Sequence, residues 1–198
     1  MLTELDVVNA CLATLGETPL VELSDDHPMV PSARQDLREA MVQEMGRVWW
    51  FNTDYCQLSG ANKEGFVYTP ADAISVKVIG RDDLTMRSRR LYDRYTSTYN
   101  IGPGPFQCIV VRELPFEDLP AQAQAVVRHA TVLQFQLNYD ADERKTAKLE
   151  ALYGNAYTTL NAEHIRQIAL NGLQTPEIMA SRRNAGVRPR RGGHYPVR

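Results

Sequence analysis

Carboxylates come in pairs along this sequence, at Asp25-Asp26, Asp82-Asp83, Glu117-Asp118 and at Asp140 with Asp142 and Glu143. Paired carboxyls are what glycoside hydrolysis uses, held about 5 to 10 Å apart across the scissile bond with one pKa raised by burial. Adjacent acids at turns and helix starts do not meet that condition, so these read first as solvated turns and helix-dipole partners. His27, His129, His164 and His194 are scattered, and His129 has no second type of metal ligand at helical spacing. It sits beside an apolar stripe, where a core-edge or interface histidine is the expected reading and zinc is not. Cys11, Cys56 and Cys108 are odd in number and far apart, which removes both a disulfide framework and a C-x-x-C pair and leaves buried free thiols. There is no G-x-S-x-G elbow, no G-x-x-x-x-G-K-[ST] loop and no H-E-x-x-H helix. Gly102-Pro103-Gly104-Pro105 is a rigid turn and no phosphate cradle, because its prolines have no amide hydrogen to donate. No catalytic residue, metal or cofactor is expected.

The elements around these residues are better marked than any chemistry. Thr3 with Asp6 resembles a capping box, and Leu5, Val8, Leu12 and Leu15, widened by Val7 and Cys11, predict an amphipathic helix of about eleven residues. Gly16 ends it and Pro19 prevents its restart. A second helix is expected from Pro31 or Ser32 to near Trp49, with Ala33, Leu37, Ala40, Met41, Met45 and Val48 on its face and Glu44 at the margin. Residues 51–115 are rich in Tyr, Thr, Val and Ile, with strands expected at 74–78, at 94–99 and at 108–111, paired antiparallel because the connections are short. Glu117-Asp118-Leu119-Pro120 should open a third helix with proline at its first position, its stripe being Ala123, Val126, Val127, Ala130, Leu133 and Leu137. A fourth helical pattern runs from about Asp142 to Asn171 through Ala147, Leu149, Leu152, Tyr153, Ala156, Leu160, Ile165 and Ile168.

The expected fold class is therefore α+β: a four-helix bundle-like α domain with an inserted small antiparallel β domain and an extended C-terminal tail. Residues 1–50 with 116–172 would form the discontinuous bundle, 51–115 the β insertion and 173–198 the tail. At 198 residues the chain has room for one core and an appended lobe, and with 43% hydrophobic and 23% charged residues it reads as a globular protein without a bilayer-spanning run. The acidic start, Met1 to Asp6, is unlike a secretion signal, so synthesis and folding in a cytoplasm are expected. The net charge of −2 hides an asymmetry: residues 173–198 carry six arginines against Glu177, a net of +5, so residues 1–172 carry −7. A basic tail on an acidic body invites an electrostatic partner, either nucleic acid or an acidic protein surface, unless it serves solubility alone. Tyr195 is its one aromatic, which weakens the case for stacking on bases.

Four segments in order resemble a known family. Val8-Asn9-x-x-Leu12-Ala13-x-Leu15-Gly16-Glu17-x-Pro19 is similar to the N-terminal helix of the tail tubular protein A family of short-tailed, T7-like bacteriophages. Gly46-x-x-Trp49-x-Phe51-Asn52, Leu91-Tyr92-Asp93-Arg94 and Glu113-Leu114-Pro115-Phe116-Glu117-Asp118-Leu119-Pro120 come next in the chain, so the resemblance spans about residues 3–160. The arginine-rich end departs from the family's pattern. The resemblance implies a structural virion protein, a head-to-tail adaptor in a ring of about twelve subunits. Its implied partners are the portal protein, the tail nozzle protein and a tail fibre or spike, with transient DNA in the lumen and no membrane. It implies a place in the virion tail after synthesis in the host cytoplasm, and no enzymatic activity; a tail-associated glycan hydrolase, using acids such as Asp82 and Asp83, is the alternative. A free DNA-binding module ranks below both, since the body is acidic and shows no recognition helix.

A ring closes through heterologous contacts, and Trp49, Trp50 and Phe51 are the candidate subunit contacts. They read first as core aromatics joining bundle to sheet, and both readings hold together if one tryptophan points inward and one toward a neighbour from alternate helix positions. Arg182, Arg183, Arg188, Arg190 and Arg191 are the candidate partner contacts of the tail. An acidic body would line a channel without trapping phosphate.

Overall fold

Thr3 starts the first helix as its spacing predicts. Its hydroxyl accepts from the Asp6 amide at 3.2 Å while the Asp6 carboxylate takes the Thr3 amide at 2.8 Å, a reciprocal box that satisfies two donors of the first turn. Helix α1 then runs Glu4–Thr14 and ends at Gly16, φ +79°, where the Glu17 amide reaches back to the Leu12 carbonyl and that of Gly16 to Ala13. Those two bonds are a Schellman cap, which needs the left-handed conformation glycine adopts freely. Asn9 pins the segment beyond the cap against α1, its side chain bonding both the amide and the carbonyl of Leu20 at 2.8 and 3.1 Å.

The computed structural model describes residues 1–24, 26–59, 64–102 and 104–172, with side chains described through Ile168. It is of α+β class: helices α1, α2 (Val30–Met45), α3 (Ala121–Tyr139) and α4 (Glu143–Gly172), with strands β1 (Thr53–Leu58), β2 (Ala73–Val78), β3 (Leu84–Arg87), β4 (Arg90–Asp93) and β5 (Phe106–Arg112) between α2 and α3. The chain divides into two units, Met1–Leu160 and Asn161–Arg198. In the first unit β5 is the central strand of an antiparallel sheet ordered β1-β5-β2, with Cys56 opposite Cys108 and Val76 opposite Val110, while β3 and β4 form a separate hairpin. A register shift between Ala73 and Ser75 accompanies Ile74, which packs on a helical cluster instead of the sheet core. In the second unit α4 continues from Asn161, where Glu163 accepts from Gln167 and pairs with Arg166, and Ile165 and Ile168 are exposed.

Three apolar clusters hold the first unit. Val7, Leu37, Met45, Trp49, Val126 and Leu160 belong to one; Val8, Cys11, Leu12, Ala33, Val132 and Phe135 to a second; and Val78, Leu91, Cys108 and Val110 to the sheet cluster. This arrangement corrects the α3 stripe. Its first half buries Ala123, Val126 and Val127 as expected, but its second half buries Thr131, Val132 and Phe135, and leaves Leu137 49% exposed. The buried face rotates because the two halves meet two different clusters. On α4, Leu149, Tyr153, Ala156 and Leu160 pack inward, whereas Ala147 lies about 160° round the helix from Leu149 and is exposed. Leu152 is likewise outside the packed line at 38% exposure.

Three further expectations change. Helix α2 ends at Met45, not near Trp49, and Val48 is 61% exposed instead of facing the core. Residues 94–99 form no strand: the Asp93 carboxylate accepts the amides of Tyr95 and Thr96 at 2.8 and 3.0 Å and Ser97 sits at φ +55°, which turns the chain despite its β-favouring residues. Glu117 and Asp118 lie in a short 3-10 turn, Phe116–Asp118, and α3 begins after it with Pro120 as its cap residue instead of its first helical one. Buried Gln124 ties this start down, accepting the Leu2 amide at 3.1 Å and donating to the Phe116 carbonyl at 3.0 Å.

Candidate functional site

The residues that end α2 early are the same ones that build the aromatic corner. A helix leaves its last carbonyls without partners, and here side chains supply them. The Trp49 indole N–H donates to the Glu44 carbonyl at 3.0 Å, and the Asn52 amide group donates to the carbonyls of Met45 at 2.9 Å and Arg47 at 3.3 Å. Asn52 Oδ1 takes the Trp49 backbone amide at 3.0 Å, so one side chain, 1% exposed, closes the turn from both ends. Trp49, 3% exposed, is thereby locked into the helical cluster.

Glu44 is buried at 1% exposure directly beneath. Its Oε1 accepts the Tyr153 phenol at 2.7 Å and its Oε2 lies 3.4 Å from Arg47 Nε. Burial, reinforced by donation to Glu44, pushes the Tyr153 hydroxyl up to about 12. The Arg47 guanidinium in turn sits 4.8 Å over the Tyr157 ring, whose edge meets Trp49 at 5.9 Å. Phe51 stacks 6.3 Å from Trp49 and meets Trp50 edge-on at 4.9 Å. Trp50 and Phe51 are half-buried, and Val48, just before them in the chain, is 61% exposed.

The corner has no activated nucleophile and no proton held ready for transfer, since the Tyr153 proton is committed to Glu44. What it does is mechanical: it fixes the direction in which the chain leaves α2 and holds two aromatic side chains at a surface, with exposed Val48 just before them in the chain. Trp49 points inward and Trp50 lies nearer solvent, although a non-helical turn produces that split and not alternate helix positions. Apolar patterning misses Asn52 and Tyr153 as parts of the corner, and it places Glu44 only at the edge of a stripe. A buried-facing Glu at the end of an apolar helical face, with Trp and Asn after it, is the signal that could have found them.

Apart from Asp25, which lies outside the described residues, the paired acids fall where solvated turns and caps would put them. Asp83 is gripped by Arg81 at 2.5 and 2.8 Å, and that hydrogen bonding holds its carboxyl below the usual range, the reverse of what a general acid needs. Asp140 pairs with Lys145 at 2.6 Å and Asp142 caps α4 by accepting the Lys145 amide at 2.9 Å. His129 is half-buried on α3, where burial and then Arg128 lower its pKa. Among the described residues no group of His, Cys, Asp and Glu could hold a metal ion, and no helix is long and apolar enough to cross a membrane. A concavity of about 1240 Å³ opens between α2 and residues 113–117, with Met41 and Leu114 beside Asp26, Glu113 and Arg38. Arg182, Arg183, Arg188, Arg190 and Arg191 lie outside the described residues.

Comparison with known proteins adds two findings. A family described as "Tube: Tail tubular protein" matches this sequence over residues 5–180, ending before the first of those arginines. The protein named "Tail tubular protein A" of Klebsiella phage KP34 is 29% identical over 136 residues, which cover 68% of this chain and 72% of the relative.

Proposed function

The chain belongs to the tail tubular protein family, a structural component of a phage tail, and from that premise we propose that it is the head-to-tail adaptor of a short-tailed phage and not an enzyme. In this reading it forms a closed ring of about twelve subunits between the portal protein and the tail nozzle protein, with a fibre or spike attached near that junction. DNA passes through the lumen during ejection. The family match over residues 5–180 carries the proposal, and the corner geometry supports it. A ring needs a heterologous contact that is stiff enough to close at a fixed rotation. Trp50 and Phe51, with exposed Val48 two residues before Trp50, offer an apolar contact braced from within by Trp49, Asn52 and Glu44. Large aromatics at the centre of a contact supply much of its free energy.

The −7 body suits a channel whose net charge does not trap phosphate, whatever single basic points it carries, and the +5 tail suits electrostatic capture by the portal or a neighbouring subunit through Arg182, Arg183, Arg188, Arg190 and Arg191. The proposed bundle of 1–50 with 116–172 and the insertion of 51–115 would then be the two parts that meet at this corner.

The test is the mass of the particle formed by the full-length protein with and without portal protein. A ring mass in either condition is expected, and a monomer in both refutes the adaptor reading. Trp50→Arg should block ring formation while leaving the subunit folded by circular dichroism. Removing residues 173–198 should impair portal docking and leave the fold intact, and unchanged docking would remove the tail from the contact.

A further inference from the structure

We propose that the tip of the β3–β4 hairpin is a contact for the phosphate backbone of DNA, made by Arg87, Arg89 and Arg90. The tip is a two-residue turn in which Arg87 pairs with Arg90 and both central residues, Ser88 and Arg89, are left-handed at φ +50° and +57°. Turns of this kind favour Asn and Gly, because a Cβ is strained at positive φ. Keeping arginine at such a position points to use of its side chain.

The two flanking arginines lie over aromatic faces. Arg87 is 4.1 Å from the centre of the Tyr92 ring, and Arg90 is 4.3 Å from that of Tyr99 and 5.0 Å from that of Phe66. The rings brace one another, Tyr92 against Tyr99 at 4.9 Å and Phe66 against Tyr99 at 6.2 Å. A guanidinium attracted to a ring face loses less freedom on binding, and its planar fork of N–H donors suits phosphate oxygens.

No acid occurs from Leu84 to Tyr92, and none of the three arginines pairs with a carboxylate among the described residues. Other arginines do carry carboxylate partners, Arg81 with Asp83, Arg34 with Glu4, and Arg112 with both Asp54 and Asp72, while Arg38 and Arg94 bond the Gln35 side chain and the Asp82 carbonyl instead. Asp93, the nearest acid along β4, accepts the amides of Tyr95 and Thr96 on one oxygen and makes no ion pair with these arginines. Arg87 and Arg89 are exposed and Arg90 half-buried. Three arginines within four residues, none of them in an ion pair among the described residues, match a polymer that presents phosphates at short, regular intervals, and phosphate contacts of this kind bind without reading sequence.

The contact goes beyond the ring reading and is tested on the isolated full-length chain, so its failure leaves that reading standing. Anisotropy of a labelled mixed-sequence DNA duplex is measured from about 50 to 200 mM salt for the wild type and for Arg87→Gln with Arg89→Asn, asparagine being tolerant of positive φ. The double variant should bind about tenfold more weakly at 100 mM, and its plot of log affinity against log salt should be shallower by about 1.8, or 0.9 for each lost phosphate contact. Arg87→Lys with Arg89→Lys should keep the wild-type slope. The same comparison in a chain with Arg182, Arg183, Arg188, Arg190 and Arg191 changed to Gln removes any masking by the tail. Wild-type affinity and slope in the double variant would overturn the proposal, as would absence of salt-dependent binding by the wild type, or a loss of slope that the lysine variant shares.

Discussion

Replacing Asn52 by alanine tests the idea that one buried side chain sets the exit from α2. The substitution removes three hydrogen bonds to backbone, the acceptor for the Trp49 amide and the donors to the Met45 and Arg47 carbonyls. Net values of about 1 kcal/mol each would give about 3 kcal/mol, and a buried backbone amide left without a partner adds about 1 kcal/mol or more. Asn52 is 1% exposed, so bulk water does not replace what is lost. A total of about 4 kcal/mol corresponds to a fall in Tm of about 8 to 16 °C for a chain of this size. Thermal and urea unfolding should be monitored by circular dichroism and by tryptophan fluorescence, since Trp49 and Trp50 report on the corner itself. Asn52→Asp sharpens the test: its carboxylate can still accept the Trp49 amide but faces the Met45 and Arg47 carbonyls with oxygen, so it should also destabilise at neutral pH. A loss below about 1 kcal/mol in Asn52→Ala would refute the reasoning, because it would mean the turn holds without its buried amide.

Asp36, buried with Oδ2 lacking a hydrogen bond and Oδ1 accepting from Asn138 at 3.0 Å, has its carboxyl pKa raised by burial and then by Glu39. A folded pKa above the unfolded one means that stability from this group is full below the ordinary carboxylate value of about 4 and is lost as pH rises through the raised value. Asp36→Asn should therefore raise the unfolding midpoint at pH 7 and give a smaller gain at acid pH, and an equal shift at both would contradict the cause named. Burial pushes the Cys11 thiol up to about 12 and raises that of Cys108, whereas Cys56 is half-buried. A thiol reagent at mildly alkaline pH should modify Cys56 first in the native protein and all three cysteines only after unfolding; rapid native labelling of Cys11 would show that the helical cluster opens.

Local signals locate α1 to the residue. Thr3, Asp6 and Gly16 act within a turn of their own positions, so their effects need no knowledge of the rest of the chain. The end of α2 escapes the apolar pattern for the opposite reason. Val48 and Trp49 continue an apolar spacing, but Asn52 takes the carbonyls the helix would have used and Tyr153, 109 residues away from Glu44, gives that acid its buried partner. The false strand at 94–99 shows a third case, in which β-favouring side chains are outweighed by one carboxylate capping two amides.

Class, the order of the four helices and family membership are written in the linear sequence, because caps, turns and apolar periods are short-range and a family motif is a string of them. The direction each face takes is not. Whether Leu137 or Phe135 enters the core, whether Glu44 is buried, and how Arg87 and Arg90 come to lie over Tyr92, Tyr99 and Phe66 depend on neighbours that only the folded chain brings within a few ångströms. Burial and charge pairing are decided at that range, so tertiary structure alone could separate the tryptophan that holds the corner from the one nearer solvent.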